Sequence, residues 1–244
     1  MTESPFQDRV AIVTGASSGI GAAIARSLAD GGAQVAGLAR RTERVAELGA
    51  GITPVAADVT DPTSLGAAVD HVVQELGVPD LVVANAGVAH GSPLDDIRLD
   101  DWQHQIDVNI SGVVATVAAT IPHLAAAAAQ GRAADLVVIS SVVDALSFPA
   151  FALYGASKAA VTKLTHDLRL DLSPQGIRTL NVRPGAVETE ILDGVAEDLA
   201  AGFKEIPALE PRDIASAVVA ALALPSHVNI SELTVVPTGQ PAAV

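Results

Sequence analysis

Short apolar segments alternate with helical segments along the whole chain, and no other feature of the sequence restricts the possible folds as strongly. Strand-like runs rich in β-branched residues are predicted at 9–14, 34–38, 53–57, 80–84, 135–139, 178–182 and 232–236. Helical segments are predicted between them, at 22–29, 62–76, 100–130, 153–172 and 211–224. Strands that alternate with helices form parallel sheets. The sequence therefore predicts an α/β fold with a doubly wound, seven-stranded parallel sheet and helices on both faces.

The composition limits the kinds of partner. Of the 244 residues, 50% are hydrophobic, and no linker or repeat divides the chain, so we expect one domain over 1–244. A net charge of −14 argues against nucleic acid and anionic membranes as partners. Neither a long uninterrupted apolar run nor a signal-peptide pattern is evident, which predicts a cytoplasmic protein without membrane contact. The chain has no cysteine, and five histidines lack paired ligand spacing, so no metal site is expected. These are His71, His104, His123, His166 and His227.

A glycine-rich turn follows the first predicted strand and opens the first helix. Small residues let the backbone approach a ligand closely, and the helix N-terminus offers free N–H groups and partial positive charge. In such sheets, ligands bind beyond the carboxyl ends of the strands. The turn therefore predicts a pyrophosphate site, although its spacing differs from the commoner G-x-G-x-x-G. The expected contacts are Gly15, Ser17, Ser18, Gly19, Ile20 and Gly21.

The end of the second predicted strand is basic in an otherwise acidic chain. Arg40 and Arg41 stand there, with Arg44 close behind, where an acidic residue would bind ribose hydroxyls and repel a 2′-phosphate. A planar guanidinium suits bidentate contact with a phosphate. This favours NADP, through Arg40 and Arg41, over NAD, which stays possible. The alternative is a solvated helix start in which Arg44 pairs with Glu43 or Glu47.

The chain's only tyrosine, Tyr154, lies four residues before Lys158, one of only three lysines. That spacing places both side chains on one face of a helix. A nearby ammonium favours the phenolate and should lower the pKa of the tyrosine, which would make the pair a plausible acid/base. Taken alone, the Y-x-x-x-K pattern is short enough to be an ordinary helix with a half-buried tyrosine. Ser140 and Ser141 end the preceding strand, where a hydroxyl could bind a substrate oxygen.

Together these motifs resemble the short-chain dehydrogenase/reductase family, in the branch whose chains are about as long as this one. The resemblance covers nearly the whole chain and includes the motifs in order. They are Thr14-Gly15-x-x-x-Gly19-Ile20-Gly21, Asp58-Val59, Asn85-Ala86-Gly87, Asn109, Ser141, Tyr154-x-x-x-Lys158 and Asn181-x-x-Pro184-Gly185-x-x-x-Thr189. Membership would imply a single Rossmann-type domain that binds a nicotinamide cofactor.

The resemblance implies a role for each catalytic position. Tyr154 would donate the proton when a carbonyl is reduced and accept it when an alcohol is oxidised. Lys158 would hold the nicotinamide ribose and depress the pKa of the tyrosine. Ser141, chosen over Ser140 by its spacing to Tyr154, would orient the substrate oxygen. Asn109 would position a water that links Lys158 to solvent.

The resemblance also implies the remaining cofactor contacts. An acidic residue after the third strand would bind the adenine amine of the cofactor. The turn after the fourth strand would contact the central part of the cofactor, and the turn after the sixth strand would contact its nicotinamide. These residues are Asp58, Val59, Asn85, Ala86, Gly87, Pro184, Gly185, Val187 and Thr189, besides Tyr154 and Lys158. The sequence departs from the family at Ala84, where asparagine is common, and at Asp144, where glycine or alanine is common. No basic residue stands directly before Gly19, so Arg40 would carry most of a 2′-phosphate contact, with Ser17 and Arg41 as further candidates.

The substrate pocket is expected around 89–91, 142–151 and 188–203, with a lid inserted at about 188–207. An apolar stripe in the last of these segments is formed by Ile191, Leu192, Val195, Leu199 and Phe203. Such a stripe is typical of a lid helix and equally of a surface helix that packs on the core. His90, Asp144 and Glu188 are possible polar contacts, and each is as well explained as a solvated loop residue. The ending 230–240 resembles a family branch that includes 3-hydroxy acid and serine dehydrogenases, which act on small polar substrates.

The sequence thus predicts an NADP(H)-dependent oxidoreductase that acts on a small carbonyl or secondary alcohol, with Tyr154 transferring the proton. The alternatives are a non-redox member, such as an epimerase or dehydratase, and an NADP-binding regulator without turnover. A homo-oligomer, dimer or tetramer, is expected from the resemblance. The small residues 125–129 and the Tyr154 helix are its candidate interface.

Overall fold

The computed structural model describes residues 4–193 and 208–240. Its centre is one seven-stranded sheet in the order β3-β2-β1-β4-β5-β6-β7, and every neighbouring pair is parallel. The strands are β1 (Val10–Thr14), β2 (Gln34–Ala39), β3 (Ile52–Ala56), β4 (Leu81–Ala84), β5 (Ala134–Ile139), β6 (Ile177–Pro184) and β7 (Glu232–Val235). The predicted fold class is confirmed, and the strand limits lie within about two residues of the predicted ones.

Seven α-helices occur within the described residues. They are α1 (Gly19–Asp30), α2 (Thr42–Ala46), α3 (Pro62–Glu75), α4 (Leu99–Ile106), α5 (Gly112–Ala129), α6 (Ala152–Leu172) and α7 (Pro211–Leu222). The sequence did not predict α2, which is too short to show a periodic pattern. The predicted helix 100–130 is interrupted by a π-helical turn at Asp107–Ser111, so that α4 and α5 are separate elements.

Alternate side chains of each strand serve two cores on opposite faces of the sheet. On one face, Val13 of β1 joins Ile24 of α1 and Ile214 of α7. On the other, Ile12 of β1 joins Leu65 of α3 and Val117 of α5. Because both faces are covered, the strands are apolar along their length, which is why they appear in the sequence as continuous hydrophobic runs.

The run Leu99–Ala129 is the one helical stretch, among the residues described, that is long and apolar enough by composition to cross a membrane. The inward face of α5 carries Val113, Val117 and Leu124, which are buried against the sheet. Its apolar character is therefore that of a core helix.

The strand order fixes where a ligand can bind. From β1 the chain builds outward through β2 and β3 on one side and through β4 to β7 on the other. The connections that leave the carboxyl ends of β1 and β4 therefore diverge to opposite faces and leave a crevice between them, the usual ligand position in such sheets.

Candidate active site

A cavity of about 1060 Å³ opens at this crevice. It is at the upper end of the range of small-molecule and cofactor sites, about 300–1,000 Å³. Its walls include every predicted catalytic and cofactor-binding residue except Gly21 and Asn109. These are Gly15, Ser17, Ser18, Gly19, Ile20, Arg40, Arg41, Asp58, Val59, Asn85, Ala86, Gly87, Ser141, Tyr154, Lys158, Pro184, Gly185, Val187 and Thr189.

The glycine turn packs too tightly for side chains at two of its positions. Gly15 has a φ of +66°, and a Cβ there would lie 2.9 Å from the Cα of Ala86. A Cβ on Gly21 would lie 2.4 Å from Nδ2 of Asn85 and 2.5 Å from the carbonyl oxygen of Gly15. Gly21 was expected to contact the cofactor, but it does not line the cavity. It packs behind the turn, where the absence of a side chain lets α1 start close to Asn85.

Thr14 and Asn85 connect the turn to the end of β4. The Thr14 hydroxyl accepts hydrogen bonds from the N–H groups of Asn85, at 3.0 Å, and Ala86, at 3.2 Å. The Asn85 amide in turn donates to the carbonyl oxygen of Thr14 at 2.9 Å. The two strand ends are thereby held in register at the floor of the cavity.

The start of α1 is suited to an anion. Ser18 occupies the N-cap position, but its side chain makes no capping hydrogen bond, and the first turn carries no acidic residue. The N–H groups at this helix end are therefore free of side-chain acceptors and retain their partial positive charge. Together with the close backbone approach at Gly15, this arrangement fits a dinucleotide pyrophosphate.

The three arginines after β2 differ in their surroundings. Arg40 is exposed and makes no hydrogen bond or ion pair with any other described residue. Arg41 Nη2 lies 3.0 Å from Oε2 of Glu190 and 3.3 Å from the hydroxyls of both Ser17 and Ser18. Arg44 Nη1 lies 2.5 Å from Oε1 of Glu190, so its partner is neither Glu43 nor Glu47.

Asp58 follows β3 at the edge of the cavity and is oriented by Thr60. One carboxylate oxygen accepts hydrogen bonds from the Thr60 backbone N–H, at 3.0 Å, and from its hydroxyl, at 2.7 Å. These bonds, aided by Arg40, hold the pKa of Asp58 below its usual value. Asp58 is thus an ionised acceptor at the place where the adenine amine is expected.

Ser141, Tyr154 and Lys158 converge on the other end of the cavity. Ser141 ends the segment after β5, and its hydroxyl accepts a hydrogen bond from the Val143 N–H at 3.3 Å. Lys158 is 4% exposed, and its ammonium donates to the carbonyl oxygen of Ile139 at 3.0 Å. The same nitrogen lies 5.8 Å from the centre of the Tyr154 ring.

The acid–base properties of this pair differ from the expectation. Burial raises the pKa of Tyr154 to about 12, because it disfavours the phenolate, while the Ser141 hydroxyl acts in the opposite direction. Burial lowers the pKa of Lys158 to about 8. Desolvation therefore decides the direction, and the pKa of the tyrosine is raised rather than depressed.

Asn109 lies in the π-helical turn, fully buried behind the cavity. Its Oδ1 accepts from the Val88 N–H, and its Nδ2 donates to the Val88 carbonyl, each at 2.8 Å. The amide also donates to the hydroxyl of Ser157, next to Lys158 in α6, at 3.1 Å. Asn109 thus joins the segment after β4 to the helix of Tyr154, and its predicted role in a water relay stays a prediction.

The predicted substrate side is only partly described. His90, Glu188 and Ile191 line the cavity together with Phe148 and Phe151. Burial lowers the pKa of His90 and thereby favours the neutral ring. Of the predicted lid stripe, Val195, Leu199 and Phe203 and the side chain of Leu192 lie outside the described residues.

Asp144 is not a substrate contact. Its carboxylate receives the guanidinium of Arg183, with Nη2 at 2.6 Å and Nε at 2.9 Å from its two oxygens. The Thr162 hydroxyl donates to it at 2.8 Å. Since Thr162 is on α6 and Arg183 on β6, Asp144 anchors the turn after Ser141 to both elements.

Two contacts at the cavity were not predicted. Gln240 accepts a hydrogen bond from the Ala186 N–H at 2.9 Å, and its side chain covers Gly185, where a Cβ would lie 2.4 Å from Oε1. Glu190 meets Arg41 and Arg44 across the glycine turn. Both contacts join segments that are far apart in the sequence, so no local pattern indicates them.

Comparison with known proteins agrees with this geometry. Residues 9–200 match the family model described as short chain dehydrogenase. The chain is 36% identical to an uncharacterized oxidoreductase of Staphylococcus epidermidis, over 95% of this chain and 98% of that one. It is also 36% identical to the glycine betaine reductase ATRR of Emericella nidulans, where the match covers 98% of this chain but only 19% of that longer protein.

Solved structures with the same architecture include cofactor complexes. One is a 3-ketoacyl-(acyl-carrier-protein) reductase from Brucella melitensis complexed with NADH, with a TM-score of 0.86 and 29% identity, covering 95% of this chain and 98% of that one. Another is the closed form of a serine dehydrogenase complexed with NADP+, with a TM-score of 0.87 and 29% identity, covering 96% and 97%. The chain is similar to proteins that bind either nicotinamide cofactor.

Proposed function

The chain belongs to the short-chain dehydrogenase/reductase family, and from this premise we propose that it is an NADP(H)-dependent oxidoreductase of small carbonyl compounds or secondary alcohols. The family membership makes it an NAD(P)-dependent dehydrogenase or reductase. The phosphorylated cofactor, the small substrate and the catalytic residues are our proposal. The observation that carries it is the meeting of Ser141, Tyr154 and Lys158 at one end of a dinucleotide-sized cavity.

We assign the proton transfer to Tyr154. The bound cofactor supplies or accepts the hydride at the substrate carbon. In reduction, the Ser141 hydroxyl orients the carbonyl oxygen, and the Tyr154 hydroxyl donates the proton that this oxygen needs to become an alcohol. The raised pKa keeps the Tyr154 hydroxyl protonated at neutral pH, as reduction requires, but also makes it a weak acid. In oxidation the proton returns to Tyr154.

Lys158 would stabilise the negative charge that develops on Tyr154 during the reaction. Its ammonium is buried near the Tyr154 ring and would stabilise the phenolate that reduction leaves behind. Bound cofactor would change its surroundings by adding ribose hydroxyls as hydrogen-bond partners. The Asn109 amide would keep α6 against the segment after β4, so that Lys158 and the cofactor cleft stay in register.

The preference for NADP is supported by Arg40. This guanidinium is exposed on the cavity wall after β2 and makes no hydrogen bond or ion pair with the described residues, and the strand end carries Ala39 and Arg40 rather than the acidic residue that would repel a phosphate. Arg41 lies beside it but is engaged by Glu190. Arg40 would therefore supply the principal contact with the 2′-phosphate.

A small, polar substrate is supported by the residues that line the described part of the nicotinamide end. Phe148, Phe151 and Val143 contribute apolar side chains there, and His90 and Glu188 contribute ionisable ones. The likeness of the chain's ending to serine and 3-hydroxy acid dehydrogenases agrees with such a substrate, as does the similarity to the serine dehydrogenase structure.

We also propose a homo-oligomer, dimer or tetramer, in the cytoplasm. Exposed apolar side chains on the two candidate interface helices support the association, with Val114 of α5 47% and Leu170 of α6 65% exposed. Light scattering coupled to size-exclusion chromatography tests it, and a monomer would contradict it.

The function is tested by titrating the purified protein with NADPH and NADH and then following NADPH oxidation with a panel of small aldehydes, keto esters and keto acids. The proposal predicts tighter binding of NADPH and turnover of at least one class in the panel. Binding without turnover of any compound in the panel would favour a regulator. Failure to bind either cofactor would contradict the premise that the cavity is a nicotinamide-cofactor site.

A further inference from the structure

The carboxylate of Glu190 lies between two guanidinium groups at the edge of the cofactor cavity. Its Oε2 is 3.0 Å from Arg41 Nη2, and its Oε1 is 2.5 Å from Arg44 Nη1. Glu190 follows Thr189 on the segment after β6, whereas both arginines belong to the segment after β2. The ion pairs therefore cross from the nicotinamide side of the cavity to the side where the adenosine ribose is expected.

These pairs involve the basic groups that a 2′-phosphate would use. Arg41 adjoins the hydroxyls of Ser17 and Ser18 in the glycine turn, and it follows Arg40 directly in sequence. A 2′-phosphate at the end of β2 would approach the same guanidinium groups. With Glu190 in place, Arg40 is the one of the three arginines that makes no ion pair with a described residue, although its charge acts on Asp58.

We propose that Glu190 is a specificity-determining residue that restrains the protein's preference for the 2′-phosphorylated cofactor. It does so in two ways. It holds the guanidinium groups of Arg41 and Arg44, which must reorient or share donors to reach the phosphate. Its own negative charge also repels a phosphate dianion nearby. This inference rests on the proposed function, since it takes the cavity to be the cofactor site.

The expected effect is moderate because the pairs are near the surface. The side chains of Arg41, Arg44 and Glu190 are 42%, 44% and 43% exposed, so solvent and salt screen their interaction. Removing the charge of Glu190 should tighten binding of the 2′-phosphate about threefold to tenfold at low salt, and less at high salt. A ligand without that phosphate should bind with nearly unchanged affinity.

The matched control is Glu43 on α2. It is exposed, has no hydrogen bond or ion pair with the described residues, and is adjacent in sequence to Arg44. Glu43→Gln therefore changes the net charge as much as Glu190→Gln does, in the same region, without releasing either guanidinium. Both substitutions are at exposed positions and should leave the fold intact.

The test is calorimetric titration of the wild-type protein, Glu190→Gln and Glu43→Gln with 2′,5′-ADP and 5′-ADP, at low and high salt. The inference predicts that Glu190→Gln tightens 2′,5′-ADP about threefold to tenfold, leaves 5′-ADP unchanged and loses most of its effect at high salt. The inference would be overturned if Glu190→Gln changed the affinity for both ligands equally or for neither. It would also be overturned if Glu43→Gln tightened 2′,5′-ADP as much as Glu190→Gln does. Failure of the wild-type protein to bind either ligand would contradict the proposed function itself. The outcomes above overturn only the inference about Glu190, so the two failures can be told apart.

Discussion

The Asp144–Arg183 ion pair holds the turn that carries Ser141, and its loss should be measurable in both stability and catalysis. The two side chains are 5% and 10% exposed, and Arg183 donates to both carboxylate oxygens. Replacing Asp144 with Asn removes the negative charge and keeps the shape. Arg183 then stays buried, and among the described residues only Glu232, whose Oε1 is 3.3 Å from Nη1, is left as its acidic partner.

The loss in the free energy of unfolding caused by Asp144→Asn follows from this burial. Removing one partner of a buried pair costs about 3–5 kcal/mol, and because Glu232 stays in place we expect the lower end, about 3 kcal/mol. Urea unfolding of the cofactor-free protein should show this as a lower midpoint with an unchanged slope. We also expect kcat to fall about tenfold or more, because Ser141 is displaced relative to Tyr154, while cofactor affinity stays nearly constant.

The control is Asp167→Asn on the same helix as Thr162. Asp167 pairs with Lys163 at 2.5 Å, but the two side chains are 58% and 72% exposed, so this substitution should cost at most about 0.5 kcal/mol. A cost for Asp144→Asn as small as that of the control would refute the reasoning. So would a loss of cofactor affinity without any loss of kcat.

Three further predictions concern the cofactor cavity. Arg40→Asp should weaken NADPH binding at least tenfold more than NADH binding, as measured by fluorescence titration, and an unchanged ratio would remove the basis for the proposed cofactor. Lys158 has a folded pKa of about 8 against 10.5 in the unfolded chain, so between these values the unfolded state binds more protons and stability rises with pH. The free energy of unfolding relative to Lys158→Met should increase by about 2 kcal/mol from pH 8 to 10, and a flat difference would contradict the burial effect. Gly21→Ala should lower the melting temperature and weaken both cofactors alike, because its Cβ would lie 2.4 Å from Asn85 Nδ2; selective loss of one cofactor would be inconsistent with a packing role.

The fold could be predicted from the sequence because its strands are buried on both faces. Runs such as Leu136–Ile139 are then continuously apolar, and the alternation with helices leaves few topologies. The cavity residues could also be located, since they follow strand ends such as those at Thr14 and Ala84. The exceptions were Gly21, which packs against Asn85 behind the turn, and Asn109, which is fully buried behind the cavity.

What the sequence did not indicate depends on contacts between distant segments. Glu190 and Arg41 are 149 positions apart, and Arg183 and Asp144 are 39 apart, so neither pair forms a local pattern. The pKa of Tyr154 was expected to be low from its spacing to Lys158 alone. Its direction depends on how far the folded protein withdraws the hydroxyl from water, which spacing does not reveal.

The central claim is that Tyr154 transfers the proton in a redox reaction within this cavity. The most direct test compares the wild-type protein with Tyr154→Phe, which removes the hydroxyl alone, by NADPH titration and by turnover of the best carbonyl substrate. The account predicts that NADPH affinity changes less than about twofold while kcat falls by a factor of about 10² to 10⁴. Turnover of the variant within a few-fold of the wild type would contradict it.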